Sequence, residues 1–222
     1  MTVRQERATR TRNTIVLAAA SVFDEYGFEA ASVSEILARA SVTKGAMYFH
    51  FSSKKDLARG VLSQQTTQLA VPPTDSKVQE LVDVTMFVAH GLLHDPVLRA
   101  GTRLALDQGT EDFSDSSPFP LWAELSARLL TEGKERGEVL PGVDPQETAD
   151  LIVGCFTGIQ AVSRVTSDRK DLGRRISVMW QRLLPGIVAP GVLTGLDLAE
   201  DRGERIVKAA QAARAAQDAD AA

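Results

Sequence analysis

Lys44 and Tyr48 stand four residues apart, one turn of an α-helix, so they share one exposed face while Ala46 and Phe49 are expected to point the other way. Thr43, just before them, has the hydroxyl of a helix N-cap, and Gly45 lacks the side chain that would keep another molecule from the backbone. A cation, a phenol, a hydroxyl and a bare backbone suit phosphate oxygens and base edges rather than bond-breaking. Upstream, Val33, Ile36, Leu37 and Ala40 recur on one helical face behind Ser32 or Ser34, either of which can cap a short amphipathic helix. Two short helices joined by a tight turn over 33–50 form a helix-turn-helix pattern, whose second helix enters a DNA major groove.

Other chemistries find little support. His90 and His94 have the i, i+4 spacing of a zinc pair, but Gly91 rather than Glu follows the first, and no third ligand suggests itself, so no metal is expected. No phosphate loop, dinucleotide fingerprint or nucleophile elbow occurs, so neither a cofactor nor an enzyme activity is expected. Cys155, the single cysteine, lies mid-helix among hydrophobes without a neighbouring base, which describes an inert thiol in a reducing compartment, the cytoplasm.

The run Val42-Thr43-Lys44-Gly45-Ala46-Met47-Tyr48-Phe49-His50-Phe51, followed by Ser53-Lys54-Lys55-Asp56-Leu57, resembles the DNA-binding domain of TetR-type repressors. Its Tyr-Phe-His-Phe ending is similar, more narrowly, to the γ-butyrolactone autoregulator receptors of actinobacteria. Ser41 stands where the turn more usually has glycine, at a cost of a few tenths to about 1 kcal/mol if the turn needs positive φ. Met47 stands where leucine is more usual.

Charge is distributed as such a protein requires. The whole chain carries −4, but residues 1–60 hold nine Lys/Arg against six Asp/Glu, and the remainder 16 against 23. A basic head of +3 on an acidic body of −7 fits binding DNA with one end. With 44% apolar and 24% charged residues, the composition is that of an ordinary soluble protein. Arg4 to Arg12 followed by Ile15–Ala20 imitates a secretory leader. However, Ile15, Ala19, Val22, Phe23 and Tyr26 form a helical stripe that ends at Gly27-Phe28. The longest apolar run, Leu151 to Ile159, falls far short of the roughly 20 residues of a membrane span.

An all-α fold is expected, with an N-terminal three-helix DNA-binding domain and a larger helical ligand-binding and dimerisation domain. Residues 4–26 make the first helix, with Arg4, Arg7, Arg10 and Arg12 able to lie along phosphates, and the helix-turn-helix completes a domain over 1–52. Ser53 caps a connecting helix, 53–70, with Asp56 as the acidic partner of a capping box. Val71-Pro72-Pro73 breaks the chain. Domain 71–198 contains helices from Ser76 to Asp95, from Pro96 to Asp107, from Phe119 to Arg136, from Pro145 through Val165, and from Asp171 to Leu184. A polar loop, Gln108 to Pro118, interrupts them, and an Ala-rich tail, 199–222, is expected to fray.

The helix around Cys155 is apolar nearly all round, so burial from several sides is expected. Gly154 and Gly158 leave a groove for a neighbour or ligand. Thr157 and Gln160 need hydrogen-bond partners if buried: Thr157 can bond back to its own helix or meet a ligand, and Gln160 can serve a subunit contact. Trp122 is core or, by resemblance of Pro118-Phe119-Pro120-Leu121-Trp122 to the receptor segment that lies against a ligand ring, a pocket wall. Trp180 is expected in the core or at a dimer contact. The expected ligand-binding set is Trp122, Thr157, Gln64, Phe119, Phe87 and Gly158.

The resemblance implies a homodimer joined through about 145–187, two recognition helices on a double-stranded pseudo-palindromic operator, and release by a small lactone. Lys44 is expected at a base edge or phosphate, with Thr43, Tyr48, His50 and Lys54 on phosphates and Ser32 and Ser34 beside them. The connecting helix is expected to be the only covalent bridge. Within the same class a pseudo-receptor answering an antibiotic or its precursor stays open. From other classes, a small-molecule carrier or hydrolase with a vestigial DNA-binding head, or an architectural protein, stays open as well.

Overall fold

The computed structural model describes residues 3–67, 71–107 and 117–220, all helical apart from turns and one isolated antiparallel bridge, Val139 to Val188. The helices are α1 (Val3–Ala30), α2 (Val33–Ala40), α3 (Lys44–His50), α4 (Lys54–Thr67), α5 (Lys77–His94), α6 (Pro96–Asp107), α7 (Phe119–Glu135), α8 (Pro145–Ser167), α9 (Leu172–Leu183), the single turn α10 (Pro190–Leu193) and α11 (Arg202–Asp220). The polar stretch 108–116 and the end of the connecting helix at 68–70 lie outside the described residues.

Two compact units form, Met1–Gln68 with Asp95–Pro118, and Leu69–His94 with Phe119–Ala222. Helix α6, which lies inside the expected range 71–198, therefore packs with the N-terminal unit. The reason lies at the end of α1. There Arg99 Nε meets Asp24 Oδ2 at 2.5 Å, Arg103 donates to the Asp24 carbonyl, and Val97, Ala100 and Leu104 enter the same core as Ile15, Phe23, Ile36, Met47 and Leu57. A consequence is that the chain crosses between the units three times, at 68–69, 94–95 and 118–119, so the connecting helix is not the only covalent bridge.

In the first unit the leader-like segment is a buried helix: Ile15, Ala19, Val22 and Phe23 have no exposed surface. The backbone leaves helical geometry at Gly27, φ 77°, as the predicted stop requires. In the second unit, α5 runs through the core, and its N-terminal amides are met by the Glu138 carboxylate, which accepts from Lys77 and Val78. Trp180 is wholly buried and donates from Nε1 to Thr85 Oγ1 at 2.7 Å, so its place is the core and not a dimer contact. Asp144 caps α8 by accepting from the Glu147 amide.

The Ala-rich tail docks where sequence reading expected fraying. Arg202 makes a two-pronged ion pair with the buried Asp83, and Gly203 presses so closely on α5 that a Cβ there would collide with the Met86 carbonyl. Alanine content understates such a helix because its anchoring residues, Arg202, Gly203 and Ile206, all sit in its first turns.

Candidate nucleic-acid interface and effector site

The reading head is assembled by caps. Ser32 accepts from the Glu35 amide at 3.1 Å to start α2, and Thr43 accepts from the Ala46 amide at 3.2 Å to start α3. Each hydroxyl keeps its own hydrogen for an outside acceptor. Between the helices Ser41 adopts φ 53°, the left-handed region that favours glycine. The turn thus carries the strain that its serine implied. Only Met47 of α3 is buried.

Ser34, Lys44, Gly45 and Tyr48 are exposed, with the Lys44 ammonium 5.9 Å from the centroid of the Tyr48 ring. His50 is half-buried and meets the Phe49 ring edge-on, centroids 5.0 Å apart. Phe49 departs from expectation. It is 79% exposed and does not point inward with Ala46.

Lys54 also departs. Its ammonium donates to the carbonyls of Phe28 at 2.7 Å, Ala31 at 3.0 Å and Glu29 at 3.3 Å, and lies 4.5 Å from the Phe28 ring centroid. All three donors are spent inside the protein, so Lys54 is a clamp on the end of α1 rather than a phosphate contact. The last turn of α1 holds no basic residue of its own, and its carbonyls draw a cation from α4. That missing cation was visible in the sequence, though its supplier was not. Ser53 caps α4 by accepting from the Asp56 amide, and the Asp56 carboxylate reaches back to the Ser52 amide, one residue before the position a capping box uses. Arg12 lies 5.0 Å from the Phe51 ring centroid, which ties the first helix to the end of α3, while Arg7 and Arg10 are exposed.

The expected ligand set is divided by the fold. Phe87, Trp122, Phe119 and Thr157 are half-buried on α5, α7 and α8 of the second unit. Gln64 belongs to α4 of the first. Gly158 does not line an interior. With Leu151, Gly154, Val162 and Val165 it forms an outward stripe of α8, opposite the buried Ala149, Ile152, Gln160 and Ser163. Nothing lies within 4 Å of a Cβ built on Gly154 or Gly158. The all-round apolar character of α8 thus resolves into two apolar faces, one of them bare: Val165 is 85% exposed.

Gln160 faces inward. It is 1% exposed, which removes it from any subunit contact, and its Oε1 accepts no hydrogen bond. One turn earlier, Thr157 makes no bond back to its helix among the described residues, whereas Thr148 and Thr166 of α8 both do. Of the two, Gln160 is buried with no donor to its Oε1, while Thr157 is half-buried. Cys155 is half-buried on the same helix.

His90 and His94 lie with ring centroids 4.6 Å apart and planes tilted by 51°. Burial, then the proximity of His94, pushes His90 below its ordinary value. Among the described residues no third ligating group joins them. No single described helix is long and apolar enough to cross a membrane, and the one pair that passes together, α5 with α6, supplies residues to the two cores.

Comparison with known proteins divides the chain once, between the helix-turn-helix head and a second range that contains α6. Residues 15–61 match the model of bacterial regulatory proteins of the tetR family, and residues 75–189 that of the tetracyclin repressor-like C-terminal domain. The chain is 43% identical to the A-factor receptor protein of Streptomyces griseus over 222 residues, 97% of this chain and 80% of that one. Full-length native TylP, a TetR regulator from Streptomyces fradiae, superposes with a TM-score of 0.84 at 38% identity, covering 92% of this chain and 99% of its own. A γ-butyrolactone receptor described as ArpA-like gives 0.67 at 33% identity, covering 96% and 99%. A basic helix-turn-helix head, a second helical unit with a partnerless buried amide oxygen and this near full-length similarity lead to one assignment: the chain belongs to the TetR family of bacterial regulatory proteins, in the group of the A-factor receptor.

Proposed function

We propose that the protein is a homodimeric transcriptional repressor, acting in the cytoplasm and catalysing no reaction, that leaves a pseudo-palindromic operator when a γ-butyrolactone or butenolide binds its second unit. The outward stripe of α8, with Val178 of α9 also exposed, is the surface that a second copy covers. The two α3 helices then meet successive major grooves roughly 34 Å apart. Lys44 reaches a base edge or phosphate, and Ser32, Ser34, Thr43, Tyr48 and His50 hold register on phosphates.

The observation that carries the effector half is Gln160. An amide oxygen buried without a partner costs about 1–3 kcal/mol, which a ligand hydroxyl recovers by donating to it. Thr157, one turn away, can donate to a lactone carbonyl, and Trp122, Phe119 and Phe87 offer apolar surface for an acyl tail. Similarity to the A-factor receptor, which extends through this unit, supports the ligand class. To lower operator occupancy about a hundredfold, the ligand must prefer the released form by roughly 2.7 kcal/mol. The change can travel through α4, where Gln64 lies, and equally through the 94–95 crossing from α5 into α6.

Titration of a γ-butyrolactone into the protein bound to fluorescent operator tests this. Release at a stoichiometry of one ligand per chain is expected. Operator that stays bound at saturating lactone removes the effector assignment and leaves the repressor intact.

A further inference from the structure

Helix α3 buries Met47, leaves Ala46 and His50 half-buried on one flank and exposes the rest, so its outward pole follows from geometry alone. At about 100° per residue, Gly45 and Phe49 both lie about 160° round the helix from the buried Met47, whereas Lys44 lies about 60° and Tyr48 about 100° away. The residues that point most directly away from the protein are therefore the glycine and the phenylalanine, with the cation and the phenol on one flank. Around Gly45 a Cβ would meet nothing within 4 Å, so a notch opens one turn before the Phe49 ring. The ring itself is 79% exposed and is held edge-on by His50 at 86°. An apolar ring kept bare at the tip of a helix that otherwise offers polar groups needs an apolar partner, and the base edges of the major groove offer one, the 5-methyl group of thymine.

We propose that Phe49 is a specificity-determining residue that packs on a thymine methyl in each operator half-site, with the Gly45 notch letting the helix seat deeply enough for contact. The inference rests on the reading that α3 lies in the major groove. It adds apolar discrimination of thymine from cytosine, which carries no methyl, to the polar contacts of Lys44.

The test uses the duplex that the full-length protein selects from a randomised library. Each thymine is replaced in turn by uracil, which removes only the methyl, and affinities are measured for wild type, Phe49→Ala, Phe49→Leu and Lys44→Ala. One position per half-site is expected to weaken wild type about fourfold when substituted, or about sixteenfold for both half-sites, the worth of one buried methyl each. Phe49→Ala binds the selected duplex more weakly and no longer distinguishes thymine from uracil there. Phe49→Leu keeps part of the discrimination, and Lys44→Ala keeps all of it. Phe49→Ala responding to uracil as strongly as wild type, or wild type indifferent to uracil everywhere, overturns the proposal while operator binding stands. Wild type that selects no duplex at all removes the groove reading, and the proposal with it.

Discussion

Helices α3 and α8 handle polar groups in opposite ways. In α3 only Met47 is buried, and every group that can meet a nucleic acid stands outside, supported by caps at Ser32 and Thr43. In α8 the exposed stripe is apolar, Leu151 through Val165, while Gln160 faces the interior and Thr157 is half-buried beside it. The difference follows from what each is proposed to bind. DNA is a large charged surface that displaces water only at contact, so its partners can wait in solvent at no cost. A small amphiphile must be taken out of water entirely, so its polar partners wait inside, and the protein bears the cost of leaving them unpaired until it arrives.

That contrast can be broken most severely on the bare face of α8. Val162→Asp with Val165→Asp places like charges across the proposed twofold contact without touching the core. It is expected to give a monomer by sedimentation, at least a hundredfold loss of operator affinity and a Tm that no longer rises with protein concentration. A dimeric double variant with wild-type binding would show that the stripe is not the subunit contact.

Next in size is the pair Lys44 and Lys54, alike in sequence and separated by structure. Lys44→Ala should cost about 1–3 kcal/mol of operator binding at unchanged Tm. Lys54→Ala should cost about 1–2 kcal/mol of stability, because three carbonyls at the end of α1 lose their donor, a shift of a few degrees in Tm. It should leave the slope of log affinity against log salt unchanged, whereas loss of a phosphate contact lowers that slope by about 1. A lowered slope for Lys54→Ala returns it to the DNA surface.

Gln160→Leu sharpens the inward half. Replacing a partnerless buried amide by an apolar side chain of similar volume should stabilise the free protein by about 1 kcal/mol, leave operator binding unchanged and weaken effector release about tenfold. Calorimetry together with the lactone titration reads both changes. Release that survives intact would detach Gln160 from the effector. The smallest effect belongs to the turn. Ser41→Gly should stabilise by about 0.5–1 kcal/mol, since φ 53° is strained for serine, visible as a rise in Tm or in denaturant midpoint.

Much of the head was legible because its signals are local. The Ser32, Thr43 and Ser53 caps and the break at Gly27 each involve residues within four of one another, and all four formed. Phe49 was misjudged because a seven-residue helix with one buried position has a narrow inner face. A pattern that assumes half the helix is buried turns Phe49 the wrong way. The outward turn of Gly158 and the inward turn of Gln160 were illegible because α8 is apolar almost all round, and periodicity cannot orient a helix that lacks a polar face.

The sequence alone determined where the caps and turns of the N-terminal head lie and that Lys44, Gly45 and Tyr48 stand exposed, since these depend on residues a few positions apart. Only the tertiary structure decided that α6 packs with the head, that Lys54 closes α1, that Arg202 seats the tail on Asp83, and which face of α8 is inside. The first three rest on contacts between residues from 23 to 119 positions apart, and a linear pattern holds no information about which distant carbonyl or carboxylate will arrive.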